Sequence, residues 1–255
     1  MHFENSGLRV ELSDSMDLRV EGKTLSPDVR TVKQMRPVLL DANGLNDAQA
    51  TYFMYREAAR ESDKRLYASK SLRYDVTVVP SMMLGSEYNK TLGHYHPDSV
   101  RPPLSYPELY EVLHGTVHYL LQKRKPGSLE IDRCFLVECQ AGEKAIMPPG
   151  YGHITVNKGK EVVVMDNIVE RTFQSVYEPY VARKGGAYYI AVNGEEKNPN
   201  FKNLPKLERI RAPEFNRMVN PDIADALEVD YSYALYLKNP DFFSWLVDPK
   251  DVELC

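Results

Sequence analysis

His94 and His96 stand one residue apart in the stretch TLGHYHPDSV and are two of the six histidines in the chain. On an extended segment, residues i and i+2 point to the same side, so both imidazoles can converge on one ion. Further on, PELYEVLHG supplies a carboxylate, Glu108, with Gly115 closing the segment. GEKAIMPPGYGHITVN then sets Gly142, Pro148, Gly150, His153 and Asn157 at fixed intervals, and its Pro-Pro-Gly turn delivers His153 at the start of a strand. Three imidazoles and one carboxylate on neighbouring strands form a site for one divalent transition metal with open coordination positions; Fe, Mn, Ni, Co and Zn all suit such a set. A lone His-x-His is more often accidental. The coincidence of several independent spacings carries the assignment. His2, His114 and His118 stand outside that pattern and read as ordinary histidines.

The elements that must position these residues are mostly short strands. From LRYDVTVVP to about residue 170, β-branched and aromatic runs alternate with Pro, Gly and Asp turns, the pattern of an antiparallel sandwich or barrel. Residues 1 to about 45 mix extended pieces with polar turns. LNDAQATYFMYREAARESDKR fits a helix by composition and a strand by the alternation of TYFMYR. YEPYVARKGGAYYIAVNG reads as an edge strand and turn. The remainder has short helical stretches separated by Asn-Pro breaks. The expected organisation is a barrel with an N-terminal arm over 1–195, its metal and substrate core at about 50–185, and an extension over 196–255. That extension packs on the barrel or on a neighbouring subunit, and its aromatic residues Tyr231, Tyr233, Tyr236, Phe242, Phe243 and Trp245 either cover a sheet face or complete the barrel mouth.

Composition bounds the function. The net charge of −4 and the lack of a long basic stripe argue against a nucleic-acid partner. No apolar run is long enough to span a bilayer, and the charged start lacks a signal-peptide core, so a cytoplasmic location is expected. Cys134, Cys139 and Cys255 form neither a disulfide framework nor a Cys-x-x-Cys site, which fits a reducing compartment. Lys123, Arg124 and Lys125, just before a Pro-Gly turn, read as a solvated hairpin end.

The two motifs together resemble those of the cupin superfamily, although the gap between the histidine pair and Glu108 is lengthened to the eleven residues PDSVRPPLSYP. The run VTVVPSMMLGSEYNKTLGHYHP, with ELYEVLHG and PPGYGHITVN, resembles more narrowly the signature of cupin-type phosphoglucose isomerases over about residues 50 to 185. The resemblance implies a double-stranded β-helix barrel of the jelly-roll type. It implies His94, His96, Glu108 and His153 as metal ligands, and Thr77, Thr91, Gly93 and Tyr110 as substrate contacts, chiefly to phosphate. The family's upstream aromatic pair matches Tyr52 and Tyr55, which favours the strand reading there and puts Tyr52 at the barrel mouth. Lys90, beside Thr91, is expected on the opposite face and in solvent. The family's later tyrosine and histidine contacts fall in DNIVERTFQSVYEPY, which has no histidine and offers Tyr177 as one candidate tyrosine.

The implied activity is metal-dependent interconversion of glucose 6-phosphate and fructose 6-phosphate, a glycolytic and gluconeogenic reaction, with Glu108 as base by position and Tyr110 as a proton donor or positioning hydroxyl. A small-molecule sugar phosphate is the expected partner, and a homodimer follows by analogy. Two other classes share the ligand set: a metal-dependent dioxygenase, which would want a more apolar pocket than Thr77, Thr91, Tyr52 and Tyr110 build, and a non-catalytic sugar-phosphate binder.

Overall fold

The computed structural model describes residues 1–5, 7–252 and 254, so Cys255 lies outside the described residues. An antiparallel meander comes first: β1 (His2–Asn5), β2 (Leu8–Leu12), β3 (Leu18–Val20) and β4 (Lys23–Thr24), in that spatial order. Leu8, Val10 and Leu12 on β2 are buried while Arg9 between them is exposed, the alternation of a one-sided strand.

The barrel begins at β5 (Asp28–Thr31) and continues through α1 (Val32–Met35), a 3-10 turn at Arg36–Val38, β6 (Ala50–Tyr55), α2 (Lys64–Ser69) and β7 (Leu72–Val79). TYFMYR is therefore a strand, and helix forms only at the charged end of that ambiguous segment. The hairpin of β8 (Met83–Leu84) and β9 (Glu87–Lys90) follows, and then β10 (Glu108–His114), β11 (Thr116–Arg124), β12 (Ile131–Gln140), β13 (Lys144–Met147), β14 (Tyr151–Asn157) and β15 (Val163–Glu170). Two curled sheets face each other. One runs β13-β10-β15-β7-β6-β5 and the other β17-β16-β9-β14-β11-β12-β18, where β16 is Tyr188–Ala191, β17 is Gly194–Lys197 and β18 is Glu208–Arg211. The chain passes repeatedly between the sheets: β10 lies in the first, β11 and β12 in the second, β13 in the first, β14 in the second, β15 in the first. This is the jelly-roll, double-stranded β-helix architecture of a cupin, and both faces of β14 and β15 are buried along their whole length.

Two segments differ from their expected form. YEPYVARKGG begins with a helix, α3 (Glu178–Ala182), and β16 is an interior strand flanked by β9 and β17. Its Pro-containing first turn suits a helix start. The segment bearing His94 and His96 belongs to no regular strand; it is extended chain with isolated bridges from His94 to His153 and from Tyr95 to Val176. The tail forms α4 (Ala212–Val219), α5 (Pro221–Leu227), α6 (Ser232–Lys238) and a 3-10 segment at Pro240–Leu246. It packs along the outer face of the first sheet, with α4 also meeting β12 and β18 of the second, where Phe215 lies edge-on to Phe135. Asn216 of α4 bonds the backbone of β13 at both Lys144 and Ile146. Tyr236 of α6 stacks on Tyr67 of α2 at 4.0 Å, and Tyr233 meets Tyr74 of β7 edge-on at 4.9 Å. These aromatic residues cover a sheet face and leave the barrel mouth to others. Cys134 and Cys139 are buried free thiols. Among the described residues no helix is long and apolar enough to cross a membrane.

Candidate metal centre

Cross-strand register places the inner face of the first sheet. Glu108 on β10 is paired with Val169 on β15, which is paired with Arg73 on β7. One step along, Tyr110 faces Asn167 and Asn167 faces Asp75. The next step aligns Thr77 with Met165 and with Met54 of β6. Period-two alternation then turns Tyr52, Met54 and Arg56 to the same side.

The histidines arrive from the opposite sheet. Gly93, at φ +84°, bends the chain after β9 in a conformation costly for residues with a Cβ. His94 and His153 then exchange backbone hydrogen bonds, His94 N to the His153 carbonyl at 3.2 Å and His153 N to the His94 carbonyl at 3.0 Å. His94, His96, Glu108 and His153 each offer one ligand atom, and these atoms all lie within 4.8 Å of one another. The Nε2 atoms of His94 and His96 are 3.2 Å apart, and Nε2 of His96 and of His153 each lie 3.3 Å from Glu108 Oε2.

The donor set fits a dication. Glu108 Oε2 is buried without a well-aligned hydrogen-bond donor, and four convergent electron-pair donors in so small a volume are best satisfied by a shared cation. His96 is oriented for this role: its Nδ1 lies 2.8 Å from the Tyr106 carbonyl, which can only accept, so the proton sits on Nδ1 and the Nε2 lone pair faces the centre. Phe173 packs against the same ring at 4.4 Å and stacks in turn on Tyr106. Asn167 donates to Glu108 Oε1 at 2.8 Å, which leaves Oε2 for the centre.

Charge states agree with the geometry. Burial and the neighbouring imidazoles hold His94 well below its ordinary range, and burial lowers His153 as well, so both stay in the neutral, ligating form. Burial opposes ionisation of Glu108, yet His153 and His96 outweigh it and hold the carboxyl well below the usual range. Burial, reinforced by Glu108, pushes Tyr110 well above the phenol range, so it keeps its proton. Its hydroxyl lies 3.4 Å from His153 Nε2.

The sequence-proposed substrate contacts Tyr52, Thr77, Thr91, Gly93 and Tyr110 line the same cleft as the four ligands. Tyr55 turns away and hydrogen-bonds the Met16 carbonyl. Tyr177 also lines the cleft and packs 5.7 Å from the His94 ring. Lys90 does point away from Thr91, but solvent does not reach it: it is buried, ion-paired with Glu87 and bonded to the Val38 carbonyl at 3.0 Å. The hairpin that carries it packs under the turn at Arg36–Val38. His114 and His118 lie elsewhere, beside Glu161 and Glu138.

Several cleft residues were missed in the sequence. Arg56 and Arg73 line the wall, and both bond Asp75 Oδ2, at 2.7 and 2.8 Å, where Asp75 is fully buried. Stepping by two from Tyr52 and from Thr77 reaches all three, so strand alternation was a usable signal. Asn167 and Phe173 had none.

The family model described as Glucose-6-phosphate isomerase (GPI) matches residues 29–205. No curated protein sequence matches the chain. Among solved structures, oxalate decarboxylase from Bacillus subtilis at pH 4.6 is 19% identical with a TM-score of 0.35, the match covering 49% of this chain and 27% of that one. The formate complex of the Lactobacillus farciminis enzyme is 14% identical with a TM-score of 0.36, covering 60% and 33%. This chain therefore spans a third or less of the oxalate decarboxylases it resembles. The family match extends over more than half of the chain and across both ligand-bearing segments, and the chain belongs to the glucose-6-phosphate isomerase family, in its cupin form.

Proposed function

We propose that this protein is a metal-dependent aldose–ketose isomerase acting on glucose 6-phosphate and fructose 6-phosphate. The observation that carries the reading is the placement of a three-histidine, one-carboxylate cluster beside hydroxyls whose protons are free to donate. Thr91 Oγ1 accepts from the Thr155 N–H at 2.9 Å, so its own O–H is left for a ligand. Among the described residues the Thr77 hydroxyl has no partner. Donors directed into a cleft suit an acceptor-rich ligand such as a phosphate monoester.

A dication bound by His94, His96, Glu108 and His153 would supply Lewis acidity at the sugar's C1 and C2 oxygens. The protein's own groups divide the remaining work. Asn167 fixes the orientation of Glu108; since a carboxylate bound to a dication is a weak base, Glu108 would take the C2 proton only on loosening from the ion, and otherwise hydrogen would pass directly between C2 and C1. Tyr110, held protonated, can donate to a sugar oxygen beside His153. Arg56 and Arg73 both pair with Asp75, and Arg56 also reaches Asp28 at 3.8 Å, so these two cations are matched by carboxylates and serve chiefly to fix the polar wall. A dioxygenase reading gains nothing from this polar wall.

The test is a coupled assay for glucose 6-phosphate formed from fructose 6-phosphate by the metal-loaded protein. Turnover that disappears on chelation and returns with metal supports the reading; no turnover with any of the five candidate metals rejects it. Solvent deuterium appearing at C2 of the product identifies proton transfer by a base, and its absence points to direct hydrogen migration between the carbons.

A further inference from the structure

Arg30 lies on the edge strand β5 directly opposite Tyr52 of β6, so the two side chains share a face of the sheet. Its Nε donates to the Tyr52 hydroxyl at 3.3 Å, and its guanidinium lies 6.0 Å from the Tyr52 ring centre and 5.6 Å from that of Tyr177. Both tyrosines line the metal cleft. Two aromatic rings can hold a guanidinium in place while leaving its terminal N–H groups unused. Among the described residues no carboxylate lies within ion-pairing distance of Arg30, whereas Arg56 and Arg73 share Asp75. Arg30 therefore does not serve to neutralise a buried acid.

The groups around it point the same way. The Tyr52 oxygen accepts from Arg30 and, at 3.4 Å, from the Leu92 N–H, so both lone pairs are engaged and its O–H must donate elsewhere. With the hydroxyls of Thr91 and Thr77, the spare hydrogen-bonding capacity at this end of the cleft is donor, and Arg30, held at the rim against the lining residues Tyr52 and Tyr177, adds a positive charge with no carboxylate partner. A planar fork of N–H donors matches a phosphate geometrically as well as in charge.

We propose that Arg30 is a specificity-determining residue that binds the ligand's phosphate and so makes the cleft select phosphorylated over free sugars. The choice of a sugar phosphate rests on the function proposed above; the assignment of Arg30 rests on its own surroundings. The competing role is that Arg30 merely steadies Tyr52. Arg30→Gln retains a side-chain donor beside that hydroxyl and removes the charge, whereas Arg30→Lys retains the charge and loses the fork.

The experiment is calorimetric binding of sorbitol 6-phosphate and of sorbitol to the metal-loaded wild type and both variants, whose folding is checked by circular dichroism. Arg30→Gln is expected to weaken sorbitol 6-phosphate binding by about tenfold to a hundredfold, the scale of one charge-assisted hydrogen bond, and to leave sorbitol binding unchanged. Arg30→Lys recovers part of the loss, and the salt dependence of phosphate binding becomes shallower in Arg30→Gln. Equal weakening of both ligands, an unchanged affinity in Arg30→Gln, or no binding of sorbitol 6-phosphate by the wild type overturns the proposal. A protein that binds sorbitol 6-phosphate through Arg30 but does not isomerise upholds this inference and removes the proposed function. An active isomerase whose KM is unaffected by Arg30→Gln does the reverse.

Discussion

Asn167, on the strand next to Glu108, donates to Oε1 of that carboxylate at 2.8 Å and so leaves Oε2 facing His96 and His153, each 3.3 Å away. A ligand oriented in this way loses less freedom when it binds a metal. Asn167→Leu is expected to weaken metal affinity by about tenfold to a hundredfold with all four ligands intact, the usual scale for removing a supporting hydrogen bond. Competition against a chelator measures it. Affinity equal to wild type would show that Glu108 needs no such support.

Replacing a ligand has a larger effect. His94→Ala and His153→Ala are expected to abolish stoichiometric metal and isomerisation together, as read by elemental analysis and the coupled assay. Full activity in metal-free protein would sink the metal assignment. Because burial lowers both His94 and His153 from the ordinary value of 6.5, their neutral forms persist below that pH. Protons therefore compete for these ligands only at lower pH, and metal retention should extend further into acid than for exposed histidines.

Gly93 is the structural requirement behind the histidine pair. A Cβ there would lie 2.6 Å from Ile154 Cγ1 and 2.9 Å from Tyr180 Cε1, and the φ of +84° is itself unfavourable for alanine. Gly93→Ala is expected to cost about 1–3 kcal/mol of stability in urea unfolding and to reduce metal occupancy, since His94 follows directly. An unchanged midpoint would show that the backbone relaxes at no cost.

On the outer face of the barrel, Asp166 of β15 is fully buried and accepts from Tyr74 and from the Ser232 hydroxyl. Burial and the nearby Glu111 push its carboxyl well above the ordinary range, while Lys144 acts in the opposite sense. The folded state thus keeps a proton that the unfolded chain releases. Stability from this group is fully present below the unfolded pKa and is lost as pH rises through the folded one. Asp166→Asn is expected to flatten that decline in a thermal-melt series from the carboxylate range to neutrality. A series that still falls as steeply would place the titrating group elsewhere, Glu111 being the other candidate, as burial raises it too.

The four convergent groups were legible because each motif is local: i, i+2 alternation for His94 and His96, and a turn with fixed intervals for His153. The barrel class was legible for the same reason, strand by strand. Arg30, Asn167 and Phe173 were not, since their roles depend on which distant strand or loop lies beside them, and a single sequence does not state that register. Lys90 shows the complementary limit. Alternation correctly turned it away from Thr91 but could not reveal that Glu87 and the Val38 carbonyl close over it. The helix α3 was hidden by a Pro-containing stretch whose flanking aromatics resemble a strand.

The stacking of Tyr236 on Tyr67 and the edge-on contact of Tyr233 with Tyr74 have a thermodynamic corollary. The apolar back of the first sheet is shielded in cis, by a segment of the same polypeptide, so its desolvation is a unimolecular event. For the monomeric chain the melting temperature should accordingly stay constant across serial dilution, and a melting temperature that falls on dilution would reveal association of copies through some other surface.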